Sequence, residues 1–506
     1  MRLLRSIAWL LLAAVALGGA GGMHPRLLEA RRAAELNQGD PLENAPPLVA
    51  FTTVALGGFR GLVVDILWMR ASELQDKGKY FELVQLADWI TKLQPRFASI
   101  WAYHGWNLAY NVSVMLSDPA DRWRWVRHGL MLMRDEGMVY NPGSALLHRE
   151  LAWMFQHKLG MDSDQAHIYY KREWAAEMTA LFGGPRPDLE ALAAAPADAE
   201  TLLRDPAVAH LAAALRAAGL DPLSARVLDP GGVPAALQAR VSDSAEGTAL
   251  RAFVRARRMR EVYKLNPARM LEIERHLGAQ LEWRLPTPHA VYWATLGLDF
   301  ARTRFDEISL RRQVFQSLSD CFLRGRLAVD SGGGLFVMSP DLALLPAVRA
   351  SYAEALKQHP DDPTVRQAHR NFLVDAVMIS ATYNRMQQSR ELYAELNRLY
   401  PSGAPASVEA YIAATWSTHI GDLDPGQALA AVEAALYQAV FWKLLGDDEA
   451  SAGHEQIARF CWDAYMDGRK DPELRARTGL PPIETIRDRA AERAKSDLAA
   501  AREAKK

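Results

Sequence analysis

Hydrophobic side chains recur at helical spacing along most of this chain. In residues 81–93, for example, Leu83, Leu86, Ile90 and Leu93 fall on one face of a helix. The same spacing predicts later helices at residues 366–383, 388–400, 427–445 and 449–466. Because such segments dominate the chain, they predict an all-α fold.

Alternating β-branched strands bounded by hairpin turns are nearly absent from the sequence. The exceptions are short apolar pieces such as LFVM at residues 335–338. The surrounding stretch, SGGGLFVMSPD at residues 331–341, contains three glycines but lacks the lysine of a phosphate-binding loop. We therefore expect a flexible turn there.

Two blocks of the chain repeat each other. Pro95 matches Pro142 and Trp106 matches Trp153, in each case 47 residues apart. A proline cannot continue the helix before it and presets the backbone of the segment after it. Weaker copies of the helix-ending step occur at residues 265–267, 356–360 and 399–401. A recurring period of this size predicts stacked helix pairs.

The proline-terminated helices resemble the tetratricopeptide-repeat superfamily. The blocks that carry the resemblance best are residues 83–95, 390–401 and 436–465. The period is longer and irregular, and no single block holds the full Trp-Leu-Gly-Tyr-Ala-Phe-Ala-Pro pattern. The head of the chain, residues 57–95, also resembles the start of exported bacterial helical-repeat proteins. The resemblance implies a tetratricopeptide-like α-solenoid of antiparallel helix pairs that scaffolds other proteins, without catalytic residues or a cofactor.

Composition shifts divide the chain into six predicted parts. The stretch after residue 180 is rich in Ala and Pro and contains no tryptophan, so we interpret it as an insertion or linker. The parts are a signal peptide or short membrane anchor at 1–22, a linker at 23–48, an N-terminal helical-repeat unit at 49–180, the insertion at 181–250, a C-terminal helical-repeat unit at 251–480 and a charged helical tail at 481–506.

The N-terminus has the order of an export signal. Arg2 and Arg5 come first, and an apolar run follows at residues 7–17. Small residues such as Gly18 and Ala20 come after the run. The run is shorter than the roughly 20 residues of a spanning helix. Both cleavage and an inner-membrane tether through residues 7–22 are consistent with this pattern. We therefore expect a periplasmic protein, or one anchored in the bacterial inner membrane and facing the periplasm.

Length, charge and cysteine usage exclude several classes of protein. The chain is 49% hydrophobic, which is typical of a globular protein. Its 506 residues are too many for one ordinary core. Its formal net charge of −1 argues against nucleic-acid binding, which requires a basic face. Cys321 and Cys461 match no zinc spacing, and we expect both to be buried apolar residues rather than a disulfide.

Standard catalytic and metal-binding motifs are missing from the sequence. There is no P-loop, GxGxxG after a strand, HExxH, CxxC or GxSxG. His128, His148, His157 and His167 do not lie at i, i+4 spacing from one another, so we expect no metal site.

Aromatic residues are the strongest candidates for a binding role. Trp106 and Trp153 stand at matching repeat positions, which favours core packing, although both are candidates for binding. Trp101 and Tyr103 have no aromatic counterpart in the second block and are the better groove candidates.

Charged residues interrupt the apolar stretch at residues 49–69. Each would cost roughly 2.5–3.5 kcal/mol at mid-bilayer, so a second membrane span is not expected. Asp65 lies among apolar neighbours and should find a partner, for which Arg60 and Arg70 are candidates. We expect a structural ion pair and include Asp65 and Arg70 among the candidate binding residues.

Two functional hypotheses follow from the sequence. The first is a non-enzymatic scaffold that holds a protein or peptide on a concave helical face by aromatic anchors. The alternative is an all-α carbohydrate-active enzyme with a Trp-lined cleft and a pair of carboxylates. Its candidate carboxylates are Asp65, Glu73, Glu150 and Glu282.

Overall fold

The structure is a computed structural model that describes most of the chain from residue 60 onward. The described residues are Glu29, 60–229, 231–329, 336–401, 405–420, 423–467 and 469–503. The predicted signal or anchor at 1–22 lies outside them, and so does the predicted linker at 23–48 apart from Glu29.

The described residues are mostly helical, which confirms the all-α prediction. The helices before residue 230 are α1 Arg60–Asp76, α2 Tyr80–Leu93, α3 Ala98–Trp106, α4 Pro119–Met131, α5 Ala145–Trp153, α6 His167–Phe182, α7 Leu189–Ala194, α8 Ala199–Leu203 and α9 Pro206–Ala217. Those that follow are α10 Ala235–Asp243, α11 Ala245–Val262, α12 Pro267–Leu277, α13 Pro286–Leu298, α14 Arg304–Arg324, α15 Leu345–Gln358, α16 Pro363–Thr382, α17 Met386–Leu399, α18 Val408–Ile420, α19 Pro425–Leu444, α20 Asp448–Asp467, α21 Pro472–Thr478 and α22 Ile483–Glu503.

Three of the helices continue without a break into π-helical turns. α3 continues through Asn107–Val112, α4 through Leu132–Gly137 and α5 through Met154–Gly160. π-helical turns are rare and occur frequently at functional sites. These turns therefore mark a candidate region for a functional site.

Aspartate-proline pairs start five of the helices. In each pair the aspartate carboxylate accepts a backbone N–H of the first turn, and the proline occupies a position whose N–H needs no partner. The capping aspartates are Asp118, Asp205, Asp362, Asp424 and Asp471. These short motifs explain why the helices begin where they do.

The described residues form two compact units. The first unit holds residues 60–104 and 139–142, and the second holds the remainder from residue 105 onward. In the first unit, α1 and α2 are joined by three residues and pack on each other as an antiparallel pair. Their shared core is formed by Val64, Ala71, Leu74, Leu83, Ile90 and Ile100.

The second unit is built from further helix pairs joined by short turns. α13 packs on α14, α16 on α17 and α19 on α20. The last helix, α22, also packs along α19, where Ile486 and Ala490 are fully buried. The predicted charged tail is therefore an integral helix of this unit.

The Ala/Pro-rich segment at 181–250 has a core of its own. The cluster contains Leu202, Val208, Leu211, Leu215 and Val241, and it continues into Leu250, Phe253 and Val254 of α11. Helix α11 runs through the predicted boundary at residue 250.

A two-stranded hairpin interrupts the helices after α14. β1 Arg326–Val329 pairs antiparallel with β2 Phe336–Ser339, with Arg326 opposite Ser339. The flexible turn predicted for residues 331–341 is thus wrong over 336–339, because that apolar piece completes a strand pair. Residues 331–335 lie outside the described part.

Two further expectations concern cysteines and membrane spans. Cys321 and Cys461 are both free and buried, as predicted. Among the described residues, no helix is both long and apolar enough to cross a membrane.

Candidate functional site

Four aromatic rings of the second unit stack into a ladder, which we call the aromatic ladder. It consists of Trp106, Tyr110, His157 and Trp153. The rings of Trp106 and Tyr110 lie 4.7 Å apart between centroids at 18°, and those of Trp153 and His157 lie 4.7 Å apart at 11°. Tyr110 and His157 join the two pairs, with centroids 5.8 Å apart and Oη 3.4 Å from Nδ1.

The ladder is built from equivalent positions of two helices. Each tryptophan is the last residue of its α-helix, and its partner ring lies four residues later in the π-helical turn. Tyr110 and His157 are 47 residues apart, as are the two tryptophans and the first residues of α3 and α5. The two helices therefore present the same pair of ring positions.

A close helix crossing fixes the helix that carries Trp106 and Tyr110. A Cβ added to Gly129 of α4 would lie 2.5 Å from the carbonyl oxygen of Gly105, and one added to Gly105 would lie 2.6 Å from Met133 Cγ. Only glycine allows the two backbones to approach this closely. The crossing thus sets the position of the ladder relative to α4.

Buried charges lie beneath the ladder. Lys158 and Asp164 are each 3% exposed by side chain, and Lys158 Nζ lies 2.5 Å from Asp164 Oδ2. Arg122 Nη1 lies 3.3 Å from the other oxygen of the same carboxylate. Burial by itself would raise the pKa of Asp164, but hydrogen bonds from Lys158 and the Ala166 N–H hold that pKa below its usual value. The carboxylate is therefore ionised and links the π-helical turn to the loop that follows it.

The cation of this cluster also contacts the ladder directly. Lys158 Nζ lies 5.1 Å from the centre of the Tyr110 ring, within the range of a cation–π interaction. Because Lys158 is itself held by Asp164, the Tyr110 ring on which Trp106 stacks has a fixed neighbour.

The polar rings of the ladder are uncharged at neutral pH. Burial lowers the pKa of His157, and the neighbouring Lys158 lowers it further. Burial raises the pKa of Tyr110, and the Glu150 carboxylate adds to that rise. The ladder therefore offers apolar ring surface with two neutral polar groups, a combination suited to stacking and hydrogen bonding rather than to binding an ion.

The exposure of the tryptophans differs from the sequence prediction. Trp106 is 41% exposed and Trp153 is half-buried, whereas Trp101 is only 3% exposed. The assignment of Trp106 to the core and Trp101 to a groove is therefore wrong. Trp101 follows the fully buried Ile100 into the core, and Trp106, five residues later on α3, faces another side.

Trp101 and Tyr103 instead hold the first unit together. Trp101 Nε1 donates to the carbonyl oxygen of Pro95 at 2.7 Å, and its ring stacks on Tyr140 at 5.9 Å. Tyr103 packs edge-on against Trp68 at 5.0 Å and donates to Gln75 Oε1 at 2.6 Å.

Asp65 and Arg70 do not form the expected ion pair. Both are exposed on α1, and Arg70 Nη1 lies 2.6 Å from Glu73 Oε2. Two residues five positions apart, such as Asp65 and Arg70, point to different sides of a helix. Two residues three positions apart, such as Arg70 and Glu73, lie next to each other on its surface. Asp65 is solvated and does not require a buried partner.

Three of the four carboxylates considered for an enzyme are paired with cations. Glu73 contacts Arg70 and Lys77, Glu150 contacts Arg149 at 2.9 Å, and Glu282 contacts Arg284 at 2.6 Å. Within the described part of the chain, no group of three His, Cys, Asp or Glu side chains is arranged to hold a metal ion.

A cavity of about 490 Å³ lies among the last helices, apart from the residues predicted for a site. Its lining includes Trp462, Arg459, Arg475, Leu480 and Ile483. Arg459 is already paired with Glu455 at 3.2 Å. The charged side chains described in its lining are exposed to solvent, so the ladder is the stronger candidate site.

Tyr110 and His157 belong to the site but were not among the site residues predicted from the sequence. The signal was present, because these residues stand 47 apart, like Trp106 and Trp153, and all four are ring-bearing. Comparisons with protein families, with curated proteins and with solved structures found no match for this chain.

Proposed function

We propose that this chain is an exported helical-repeat protein that binds a protein or peptide partner through the aromatic ladder. The observation that carries the proposal is the ladder itself, in which Trp106 remains 41% exposed although its ring is stacked on a rigid base. A tryptophan held in place but open to solvent is the kind of residue that dominates binding energy at protein interfaces. We place the protein in the periplasm, free or tethered to the inner membrane.

The proposed architecture is a tetratricopeptide-like α-solenoid. It is supported by the helix pairs and by the equivalence of α3 and α5, which have the same length and both continue into a π-helical turn. In such an array neighbouring repeats present the same ring positions side by side, so a partner lying across them meets a row of rings.

The ladder suits apolar segments that carry exposed backbone polar groups. Trp and Tyr rings lose little side-chain entropy on binding and bury a large area. Tyr110 and His157 supply a neutral donor and acceptor between the two tryptophans. A peptide with proline or aliphatic side chains fits this chemistry better than a charged one.

The carbohydrate-active enzyme is the weaker hypothesis. A sugar could stack on the tryptophans, but Glu150, the candidate carboxylate whose charge acts on Tyr110, is already paired with Arg149. An inverting or retaining mechanism requires two carboxylates about 5–10 Å apart across the sugar.

Site-specific photo-cross-linking in the native envelope tests the proposal. A benzophenone amino acid replaces Trp106 in one full-length variant and Trp153 in another, so that an aromatic group is retained in the ladder. The control carries the same group at Leu474 of α21, which is 42% exposed and is not a member of the ladder.

Partner binding predicts one discrete adduct shared by positions 106 and 153 and missing at 474. The adduct should weaken by about thirtyfold or more when Tyr110→Ala removes the ring between the two tryptophans, since a hot-spot residue contributes about 2 kcal/mol or more. Absence of any adduct at both ladder positions, or the same adduct at all three, contradicts the proposal.

A further inference from the structure

The first unit carries an unusual share of exposed apolar side chains. Within the described residues, 18 large hydrophobic side chains are exposed, and seven of them lie in this unit although it is far the smaller of the two. Three are on α1, where Leu62 is 58%, Ile66 is 53% and Met69 is 66% exposed. Contiguous exposed apolar surface marks an interaction site.

The three side chains form one row at positions i, i+4 and i+7 of α1. The opposite face of the same helix is the one that packs in the core through Val64 and Ala71. Helix α1 is therefore apolar on two faces, and only one of them is buried within the unit.

The row changes from apolar to charged along the helix. Beyond Met69 it continues into Arg70, Glu73 and Lys77, which are exposed and joined by ion pairs at 2.6 and 2.5 Å. The apolar part is thus confined to the end of α1 that the preceding chain enters. In that preceding chain, residues 44–59 contain no charged side chain and residues 7–17 are apolar.

We propose that the N-terminal half of α1 lies in the surface of a lipid bilayer through Leu62, Ile66 and Met69. The apolar end would enter the interface between headgroups and acyl chains, and the charged end would remain in water. Asp65 borders the row, about 40° around the helix from Met69 and about 60° from Leu62, so its exposed carboxylate would lie at the level of the headgroups. This contact is separate from a tether through residues 7–22.

A bilayer fits this row better than a protein partner does. Three side chains on one helix cover far less than the roughly 1,200–2,000 Å² of a stable protein interface. A bilayer requires no matching surface, and it continues the uncharged sequence that leads into α1. The charged side chains between residues 60 and 70 argue against a helix that spans the bilayer, but they are compatible with a helix that lies at its surface.

Depth-dependent fluorescence on the full-length chain tests the proposal. Ile66→Cys and Ser72→Cys each receive an environment-sensitive nitrobenzoxadiazole label. Because Cys321 and Cys461 are 1% and 2% exposed, the label reacts at the introduced thiol. Ser72 is an exposed residue of the same helix outside the row, so it is the matched control. Each protein is mixed with vesicles of neutral and anionic phospholipid in equal parts, with and without brominated acyl chains.

The proposal predicts a blue shift on adding vesicles and a loss of most of the emission with brominated lipid for the label at 66, with neither change at 72. Equal quenching at both positions, or none at 66, overturns it. A label at 66 that is already blue-shifted without lipid also overturns it. That result would assign the row to a second copy if it depends on protein concentration, and to the chain's own preceding segment if it does not.

Discussion

At the scale of single residues, the buried charges under the aromatic ladder show how polarity is used inside this protein. Lys158, Arg122 and Asp164 are all buried, and the one carboxylate contacts both cations. A buried pair of this kind contributes little net stability compared with apolar packing, but removing one partner strongly destabilises the fold because the other charge stays buried without a partner. Its role here is to fix the π-helical turn that carries His157.

A buried histidine of α13 has the clearest pH dependence. His289 is fully buried among the rings of Phe155, Trp174 and Trp283, and its Nε2 lies 2.8 Å from the Trp283 carbonyl oxygen. Burial lowers the pKa of His289 to about 4, which outweighs the opposing effect of that hydrogen bond.

The sign of the effect follows from proton binding. Because the folded-state pKa lies below the unfolded value of about 6.5, the unfolded chain binds this proton more readily. The contribution of the neutral His289 side chain to the unfolding free energy is complete above about pH 6.5, and it is lost as the pH falls toward the folded-state pKa. Protonation of His289 should cost about 3 kcal/mol of unfolding free energy by about pH 4, from a pKa difference of roughly 2.5.

The measurement compares urea-unfolding midpoints of the wild type and His289→Gln across this pH range. Glutamine keeps a donor for the Trp283 carbonyl oxygen but does not titrate. The wild type should lose more stability than the variant between about pH 7 and about pH 4, by about 3 kcal/mol. Parallel pH profiles for the two proteins would show that His289 is not the titrating group.

At the scale of elements, the glycine crossing between α4 and the Trp106 helix decides the local packing. A Cβ at Gly129 meets the Gly105 carbonyl oxygen at 2.5 Å and the Ala109 nitrogen at 3.3 Å, and both are backbone atoms that cannot move alone. Gly129→Ala should therefore lower the unfolding free energy by about 1–3 kcal/mol, despite the gain in helix propensity of about 0.5–1 kcal/mol.

Gly61→Ala is the control for this prediction. Gly61 is also helical, but a Cβ there meets nothing within 4 Å, so only the propensity gain of roughly 0.5–1 kcal/mol remains. Urea unfolding of both variants checks the difference. If Gly129→Ala is stabilised as much as Gly61→Ala, the close crossing is not present in solution.

The helices themselves were largely predictable from the sequence. The segments predicted at 366–383, 388–400, 427–445 and 449–466 correspond to α16, α17, α19 and α20, with ends that differ by one to three residues. Their apolar spacing is a local signal, and so are the Asp-Pro starts of α16 and α19. The π-helical turns were not predictable, because apolar spacing does not distinguish them from the α-helices that they continue. One strand of the β-hairpin was visible in the sequence as the apolar piece at residues 335–338, and only its pairing with residues 326–329 was missed.

The candidate site was only half predictable for the same reason. The 47-residue match identified Trp106 and Trp153, but matching positions do not reveal which side of a helix is covered. The exposure of Trp106 and the burial of Trp101 depend on how neighbouring helices pack against α3. Asp65 similarly reads as a buried charge from its neighbours in sequence, yet it lies on the exposed side of α1.

At the scale of the whole molecule, the charged C-terminal helix is part of the core rather than a tail. In α22, Ile483, Ile486, Ala490, Ala494 and Leu498 are buried, although the helix has many exposed charges. Ile486 belongs to the same cluster as Val432 and Leu436 of α19. The sequence predicted a charged helical tail, because the charges outnumber this narrow apolar stripe.

Truncation after residue 482 should therefore destabilise the second unit by about 5 kcal/mol or more, since it exposes α19 and removes three large buried side chains at roughly 1.5–3 kcal/mol each. Urea unfolding followed by circular dichroism measures the loss, and truncation after Glu503 is the control, which should leave the midpoint unchanged.

Should the shorter chain fail to fold, Ile486→Ala tests the same packing, with an expected loss of about 2–5 kcal/mol. An unaltered midpoint for either the truncation or Ile486→Ala would mean that α22 does not pack on α19, and the second unit would then end at the preceding helices.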